Sequence, residues 1–200
     1  MIGVVDYGAG NLRSVQNMLD ALGVVNCRVQ EASDTRDLSG LILPGVGAFG
    51  SAMDRLRESG LSDVVALWLE MDLPFLGICL GMQLLFDASD ESPGIQGFGR
   101  IPGTCTKLAG ARVPQIGWNR VRFAGNDPLF NGIPDGSWFY FLHSYRAPEA
   151  SAGTTGTTDY AESFPSALKA GNCRAVQFHP EKSGDVGARL LTNWVTSCCR

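Results

Sequence analysis

The sequence lacks the spacings and charge runs that mark several common classes of protein. It has six cysteines but no Cys-x-x-C pair, which argues against a zinc finger, and no metal is expected. The cysteines are Cys27, Cys79, Cys105, Cys173, Cys198 and Cys199. Its sixteen Lys and Arg residues are scattered and its net charge is -4. The positive footprint of a protein that binds a phosphate backbone is therefore missing, and no nucleic acid partner is expected.

Long apolar runs are also missing. The uncharged stretch from Leu73 to Phe86 contains Pro74 and Gln83 and is well short of the ~20 apolar residues that span a bilayer. Ile2–Val5 meets Asp6 at once and lacks the basic start of a signal peptide. We therefore expect no membrane partner, a cytoplasmic location and reduced, free thiols.

The 200 residues are expected to form one domain, 1–200. Its first half alternates short apolar runs with amphipathic segments, which predicts a parallel sheet with crossover helices. The strands expected there are 2–5, 27–30, 41–43 and 74–79, and the helices are 11–22, 48–59, 61–71 and 80–86. Shorter Gly- and aromatic-rich segments then predict antiparallel or mixed strands at 115–123, 137–142, 154–160 and 167–170. With a final strand at 175–178 and a helix at 185–196, the pattern indicates a three-layer α/β domain with a mixed, mainly parallel sheet.

One cysteine stands in a pattern typical of a nucleophile. Gly77-Ile78-Cys79-Leu80-Gly81 has the form Gly-x-nucleophile-x-Gly and lies between an apolar strand and a predicted helix. The glycines permit a sharp turn that pushes the Cys79 side chain out above the sheet, and the helix start at Leu80 favours a thiolate. Free cysteine is often only a small buried hydrophobe, so this motif alone leaves both interpretations open.

A thiolate nucleophile needs a base, and only His143 and His179 are available. His179 ends a predicted strand and is followed by Pro180 and Glu181. Residues i and i+2 of extended backbone face the same side, and Pro180 biases His179 toward that geometry, so Glu181 can hold the imidazole ring. His143 has no acid nearby in sequence, and we assign it to shaping a pocket.

Acyl transfer also needs donors for the developing oxyanion. The backbone N–H of Leu80 is one candidate, and the glycine-flanked loop Pro44–Gly47 at the end of a neighbouring strand is another. Such a loop is also an ordinary turn before a helix. The loop 6–11 is not a dinucleotide fingerprint, because Arg13 replaces the third glycine. No cofactor is predicted.

These residues together resemble the class I (triad) glutamine amidotransferases, whose two signatures match 77–83 and His179-Pro180-Glu181. Within that family the chain is similar to the glutaminase subunits of imidazole glycerol phosphate synthases. The more specific matches lie at 6–12, 43–49, 117–119, 140–145 and 179–183. The stretch 147–169 matches less distinctively.

The resemblance implies a flavodoxin-like fold and hydrolysis of glutamine to glutamate and ammonia through a thioester on Cys79. It implies that Gln83, Ser144 and Tyr145 hold the amino-acid end of glutamine, and that the Val46–Gly47 peptide completes the oxyanion hole with Leu80. It also implies a heterodimer with a (β/α)₈ cyclase subunit that uses the ammonia in histidine biosynthesis. Family positions near that interface match Asn11, Tyr140 and Lys182.

Other functions fit parts of the pattern. The glutaminase subunit of anthranilate or aminodeoxychorismate synthesis would share the chemistry but have another partner. A cysteine hydrolase or peptidase would act on esters or peptides and ignore glutamine. A thiol-sensing module on the same fold would react with oxidants at Cys79, yet need no base at His179. The contexts of Gln83 and Lys182-Ser183 disfavour the last two.

Overall fold

The structure is a computed structural model that describes residues 1–8, 10–110 and 112–198. Ala9, within the predicted motif 6–12, and Cys199 lie outside the described residues. The strands are β1 Ile2–Val5, β2 Asn26–Val29, β3 Gly40–Gly45, β4 Phe75–Cys79, β5 Phe86–Ser89, β6 Ile101–Lys107, β7 Gln115–Phe123, β8 Ser137–His143, β9 Tyr145–Arg146, β10 Thr154–Tyr160, β11 Glu162–Ala170 and β12 Cys173–Val176. The helices are α1 Leu12–Ala21, α2 Phe49–Glu58, α3 Leu61–Glu70, α4 Leu80–Gln83 and α5 Gly184–Ser197, with 3-10 turns at Ala32–Thr35, Pro128–Phe130 and Pro180–Lys182.

One large mixed sheet runs through the molecule in the order β2-β1-β3-β4-β12-β11-β10-β7-β8. Strands β2, β1, β3, β4 and β12 are parallel, whereas β11, β10, β7 and β8 pair antiparallel. A small sheet of β5, β6 and β9 lies apart from it. The expected three-layer α/β class with a mixed sheet is confirmed, since helices cover the large sheet.

The central strands are buried on both faces, and alternate residues enter opposite layers of the core. On β3, Leu41 and Leu43 pack with the side of α2 and α3, while Ile42 packs with the side of α1 and α5. Helix α1 contributes Val15 and Leu19 at helical spacing to that second layer. These two layers hold the carboxyl ends of β3, β4 and β12 side by side. None of the described helices has the length and apolar character needed to cross a bilayer.

Several elements differ from the sequence expectation. Strands β6 and β9 were not predicted, and the final strand, expected over 175–178, spans Cys173–Val176. The helix expected over 80–86 ends at Gln83, and Phe86 begins β5 by pairing with Ile101. Five of the seven residues 80–86 are large and apolar, so periodicity could not separate a helix from a buried strand there. The strand expected over 167–170 starts at Glu162 and includes Pro165, although proline disfavours an interior strand position.

Candidate active site

Cys79 sits on the sharp turn that the sequence predicts. It is the last residue of β4 and has φ +53° and ψ -106°, a conformation that non-glycine residues rarely adopt. A Cβ at Gly81 would lie 1.9 Å from the carbonyl oxygen of Leu43, and one at Gly77 would lie 2.7 Å from the carbonyl oxygen of Gly81. The backbone therefore approaches itself too closely for side chains at either glycine. Packing of the turn against β3 holds the strained cysteine.

The helix that follows the sulfur is a single turn. Because α4 spans only Leu80–Gln83, it carries a small part of the dipole expected from a helix over 80–86. Stabilisation of a thiolate at Cys79 must therefore come mainly from neighbouring side chains.

The second catalytic candidate is a buried pair of side chains. Nδ1 of His179 lies 2.7 Å from Oε1 of Glu181, and both residues are buried. His179 is extended, as expected, with φ -104° and ψ 93°. Glu181 lies in the 3-10 turn Pro180–Lys182 rather than on a continuing strand, so the turn brings its carboxylate beside the ring. Geometry of this kind fixes the imidazole with Nδ1–H directed to the carboxylate.

Asn11 contacts the same carboxylate from α1. Its Nδ2 donates to Oε1 of Glu181 at 2.9 Å, and its Oδ1 accepts from the hydroxyl of Ser14 at 2.6 Å. Asn11 precedes α1, where an asparagine side chain usually caps its own helix, but no such cap bond forms. Sequence reasoning assigned Asn11 only to a partner interface. Its contact with Glu181 couples the start of α1 to the His179–Glu181 pair.

The surroundings of His179 favour its charged form. Burial opposes the charge, but the neighbouring Cys79 sulfur and the Glu181 carboxylate together raise the pKa of His179 to about 10. A thiolate and an imidazolium next to each other stabilise one another. The arrangement can therefore hold a charged nucleophile and an acid that is ready to protonate a leaving group.

His143 is buried and behaves differently. Its Nδ1 lies 2.8 Å from the carbonyl oxygen of Tyr145, and its Nε2 lies 3.0 Å from Oε1 of Gln115. Burial and the proximity of His179 lower the pKa of His143 to about 4, against the opposing effect of the Tyr145 carbonyl. The ring is thus neutral near pH 7 and shapes the pocket wall. Because Tyr145 O can only accept, Nδ1 carries the ring hydrogen, and Nε2 accepts from the Gln115 amide with its NH₂ turned toward the ring.

A small pocket opens at the sulfur. Its volume is about 230 Å³, below the roughly 300–1,000 Å³ of sites for drug-sized ligands, so it suits a small metabolite. The lining residues are Val46, Gly47, Cys79, Leu80, Gln83, Glu91, Pro114, Leu142, His143, Ser144 and Tyr145. Every residue expected to form the oxyanion site or to bind substrate is among them.

Glu91 and Gln177 belong to this region but were not singled out from the sequence. Glu91 lines the pocket, and its Oε2 accepts from the backbone N–H of Phe49 at 2.7 Å. Gln177 is wholly buried and its Nε2 lies 3.7 Å from Sγ of Cys79. The signal for Gln177 was its place two residues before His179, on the same face of an extended segment. No sequence pattern pointed to Glu91, since it lies on a loop after β5.

The loop expected to supply an oxyanion donor is packed closely behind the elbow. Gly45 pairs with Cys79 across β3 and β4, and a Cβ at Gly45 would lie 2.8 Å from that of Leu80. The hydroxyl of Tyr7 donates to the carbonyl oxygen of Pro44 at 3.3 Å. Gly47 has φ +105°, which a residue with a side chain would resist. The bond from Tyr7 and the close packing on Cys79 and Leu80 thus hold this loop next to the pocket.

Tyr140 and Lys182, the other expected interface residues, lie together beside His179. Nζ of Lys182 is 5.7 Å from the centroid of the Tyr140 ring, which is 6.5 Å from the imidazole centroid. The backbone N–H of His179 donates to the carbonyl oxygen of Tyr140 at 2.8 Å. Ser183 joins the two segments, because its hydroxyl donates to His179 O at 2.6 Å and accepts from Tyr140 N–H at 3.0 Å.

An exposed apolar patch continues from Tyr140. Trp118 pairs with Tyr140 across β7 and β8 and is 54% exposed. Ile116 and Trp138 lie at alternate positions on the same face and are 62% and 48% exposed. The guanidinium of Arg120 stacks over the Trp138 ring at 5.0 Å. Large exposed apolar side chains grouped in this way mark a surface that suits a protein partner.

Comparisons of the chain with protein families, curated proteins and solved structures agree with one another. The model of the family Glutamine amidotransferase class-I matches residues 3–198. The chain is 45% identical over 195 residues to the imidazole glycerol phosphate synthase subunit HisH of Moorella thermoacetica, covering 96% of this chain and 93% of that one. It is 44% identical over 201 residues to the chloroplastic imidazole glycerol phosphate synthase hisHF of Arabidopsis thaliana, covering 98% of this chain and 34% of that protein. This chain therefore spans about a third of the Arabidopsis protein. A crystal structure of a glutamine amidotransferase shares the fold, with a TM-score of 0.79 at 20% identity over 100% of this chain and 99% of that one.

Proposed function

The chain belongs to the class-I glutamine amidotransferase family, and we therefore propose that it is the glutaminase subunit of an imidazole glycerol phosphate synthase. In this role it hydrolyses glutamine to glutamate and ammonia and delivers the ammonia to a cyclase subunit for histidine biosynthesis. The observation that carries the chemistry is Cys79 on its elbow beside the buried pair of His179 and Glu181, with Nδ1 and Oε1 2.7 Å apart.

Hydrolysis proceeds through a thioester. Sγ of Cys79 attacks the side-chain amide carbon of glutamine, and the C=O electron pair moves onto oxygen. His179 gives its proton to the departing nitrogen, the C–N bond breaks, and ammonia leaves a γ-glutamyl thioester on Cys79. Water then attacks the thioester while His179 takes its proton, which releases glutamate and restores the thiolate. Glu181 keeps the imidazole oriented and stabilises its charged form in both steps.

Negative charge on the substrate oxygen needs donors in the pocket. The backbone N–H of Leu80 directly follows the nucleophile, and Val46 and Gly47 line the same pocket. Loss of one such donor typically costs on the order of 100- to 1,000-fold in turnover. The loop 44–47 is thus a place where a partner could control the rate by changing the direction of one peptide.

Glutamine has charged groups at its amino-acid end, and the pocket offers polar groups to match them. Gln83, Ser144 and Tyr145 are the residues proposed to hold that end of the substrate. We add Glu91, because a carboxylate in the pocket wall pairs with the α-ammonium group. One Glu91 oxygen is engaged by the Phe49 N–H, which fixes the carboxylate at the start of α2.

The proposed partner is a (β/α)₈ cyclase subunit that docks where Asn11, Tyr140 and Lys182 meet the exposed Trp118 and Trp138. Ammonia released to water is largely protonated and no longer nucleophilic, so a direct passage between subunits preserves it. Contacts at this face reach the catalytic pair through Asn11 and Ser183, since both bond to the His179–Glu181 segment. The cytoplasmic location stays a prediction.

The test is glutamate production from glutamine by the purified chain, alone and then mixed with a cyclase subunit and its ribonucleotide substrate. We expect strong stimulation in the mixture. Equal activity with and without the cyclase would retain the glutaminase and transfer the chain to another amidotransferase, such as one for anthranilate or aminodeoxychorismate. No glutamate under either condition would refute the function and favour a hydrolase, a peptidase or a thiol sensor.

A further inference from the structure

Gln177 touches the reacting sulfur, and we propose that its side-chain N–H is a further catalytic donor that stabilises the Cys79 thiolate. The proposal rests on the proposed function, since it concerns the same nucleophile. Gln177 has 0% of its surface exposed, and its Nε2 lies 3.7 Å from Sγ. A buried amide costs free energy unless its groups are bonded, so its position beside the sulfur needs an explanation.

The sheet places Gln177 beside Cys79. Strands β12 and β4 are parallel with Val176 opposite Ile78; Cys79 is the next residue of β4, and Gln177 is the first residue after the end of β12. The backbone N–H of Gln177 donates to the carbonyl oxygen of Ser166 at 2.9 Å, which holds the end of β12 against β11. The backbone that carries the side chain is therefore fixed to the sheet directly after β12.

The direction of the Gln177 amide is determined by its neighbours. A backbone carbonyl can only accept, so the group of Gln83 that lies 2.8 Å from Tyr145 O must be its NH₂. The second hydrogen of that NH₂ meets Oε1 of Gln177 at 3.1 Å. Because its oxygen faces Gln83, Gln177 must present its own NH₂ to the sulfur.

A donor at this place favours the charged sulfur. The carbonyl oxygen of Leu142 lies 3.5 Å from Sγ; it can accept from a thiol but repels a thiolate. The Gln177 N–H opposes that effect, since hydrogen bonds to ionised acceptors are about twice as strong as neutral ones. The one-turn α4 contributes little dipole, so stabilisation of the anion depends more on side chains such as Gln177 and His179. Through Gln83, the substrate end of the pocket also orients this donor.

The experiment is the pH dependence of Cys79 alkylation by iodoacetamide, followed by mass spectrometry of the Cys79 peptide so that other thiols do not contribute. We expect the midpoint in Gln177→Met to rise by about one pH unit. In Gln177→Glu the carboxylate replaces the donor, and the midpoint should rise further. The nearly isosteric Gln177→Glu keeps the test available if Gln177→Met does not fold, which thermal unfolding will show.

The matched control is Gln115→Met. Gln115 is also a buried glutamine of this region, but its amide contacts His143 and not the sulfur. The pH midpoint of Cys79 alkylation in Gln115→Met should equal that of the wild type. An unchanged midpoint in both folded Gln177 variants would overturn the proposal.

Glutamine turnover separates this proposal from the proposed function. We expect kcat of Gln177→Met in the cyclase complex to fall about tenfold with KM nearly unchanged, since the donor acts on the nucleophile. A wild-type chain that hydrolyses no glutamine, yet shows the shifted midpoint in Gln177→Met, would retain the Gln177 role and refute the glutaminase. An active wild type with an unshifted alkylation midpoint in Gln177→Met would retain the glutaminase and refute the role of Gln177.

Discussion

Replacement of Glu181 by glutamine isolates the charge of the proposed triad acid. The amide oxygen of Glu181→Gln can still accept from Nδ1 of His179 and from Nδ2 of Asn11, the two bonds that Oε1 now accepts at 2.7 and 2.9 Å. Both bonds to Oε1 are kept, and the charge that stabilises the imidazolium is lost. A hydrogen bond to a charged partner contributes about 1.5–3 kcal/mol, so kcat should fall about 10- to 100-fold. KM should stay within about twofold, because Glu181 does not line the pocket.

The same substitution has a predictable cost in stability. Oε2 of Glu181 is buried without a hydrogen-bond partner, so Glu181→Gln places an amide NH₂ where nothing accepts from it. The free energy of unfolding should fall by about 1–3 kcal/mol. The assays are steady-state glutaminase kinetics in the cyclase complex and urea unfolding of the isolated chain. A folded variant that keeps more than half of the wild-type kcat would refute the role of the charge.

Three other substitutions test separate parts of the site. Cys79→Ala should abolish glutamate production while circular dichroism and cyclase binding stay unchanged, and retained ammonia release would exclude the thioester. Glu91→Gln should raise KM for glutamine about tenfold with kcat nearly unchanged, because it removes the charge proposed to pair with the α-ammonium; an unchanged KM would remove Glu91 from the substrate site. The pKa of His143 falls to about 4 in the folded chain against ~6.5 unfolded, so the unfolded state binds more protons between these values and stability should drop as pH falls from ~6.5 to ~4. This loss, roughly 3 kcal/mol, should be absent from urea unfolding of His143→Gln, and an equal loss in that variant would contradict the assignment.

The parallel half of the fold and the catalytic candidates were predictable because their signals are local. Buried strands and amphipathic helices have clear periods, and the elbow glycines and the His179–Glu181 spacing appear within a few residues. The side-chain contacts of Asn11 and Gln177 were not predictable, since they join segments far apart in the chain. The end of α4 was missed because its apolar sequence fits both a helix and a buried strand. The start of strand β11, which includes Pro165, was missed because it is determined by pairing with β10 and not by the strand propensity of its own residues.

The short turn that carries His179 and Glu181 also matters for protein design. It is closed by the bond from the Lys182 N–H to His179 O at 3.0 Å, and Ser183 anchors it to β8. Base and acid thus form a compact cassette of five residues, 179–183, which is bonded to the rest of the chain at Tyr140 and Asn11. A designer could graft this cassette onto the end of a strand in another scaffold, whereas the nucleophile requires a whole layered sheet around its turn. In such a graft the strained cysteine, rather than the charged pair, is the part that limits which scaffolds will work.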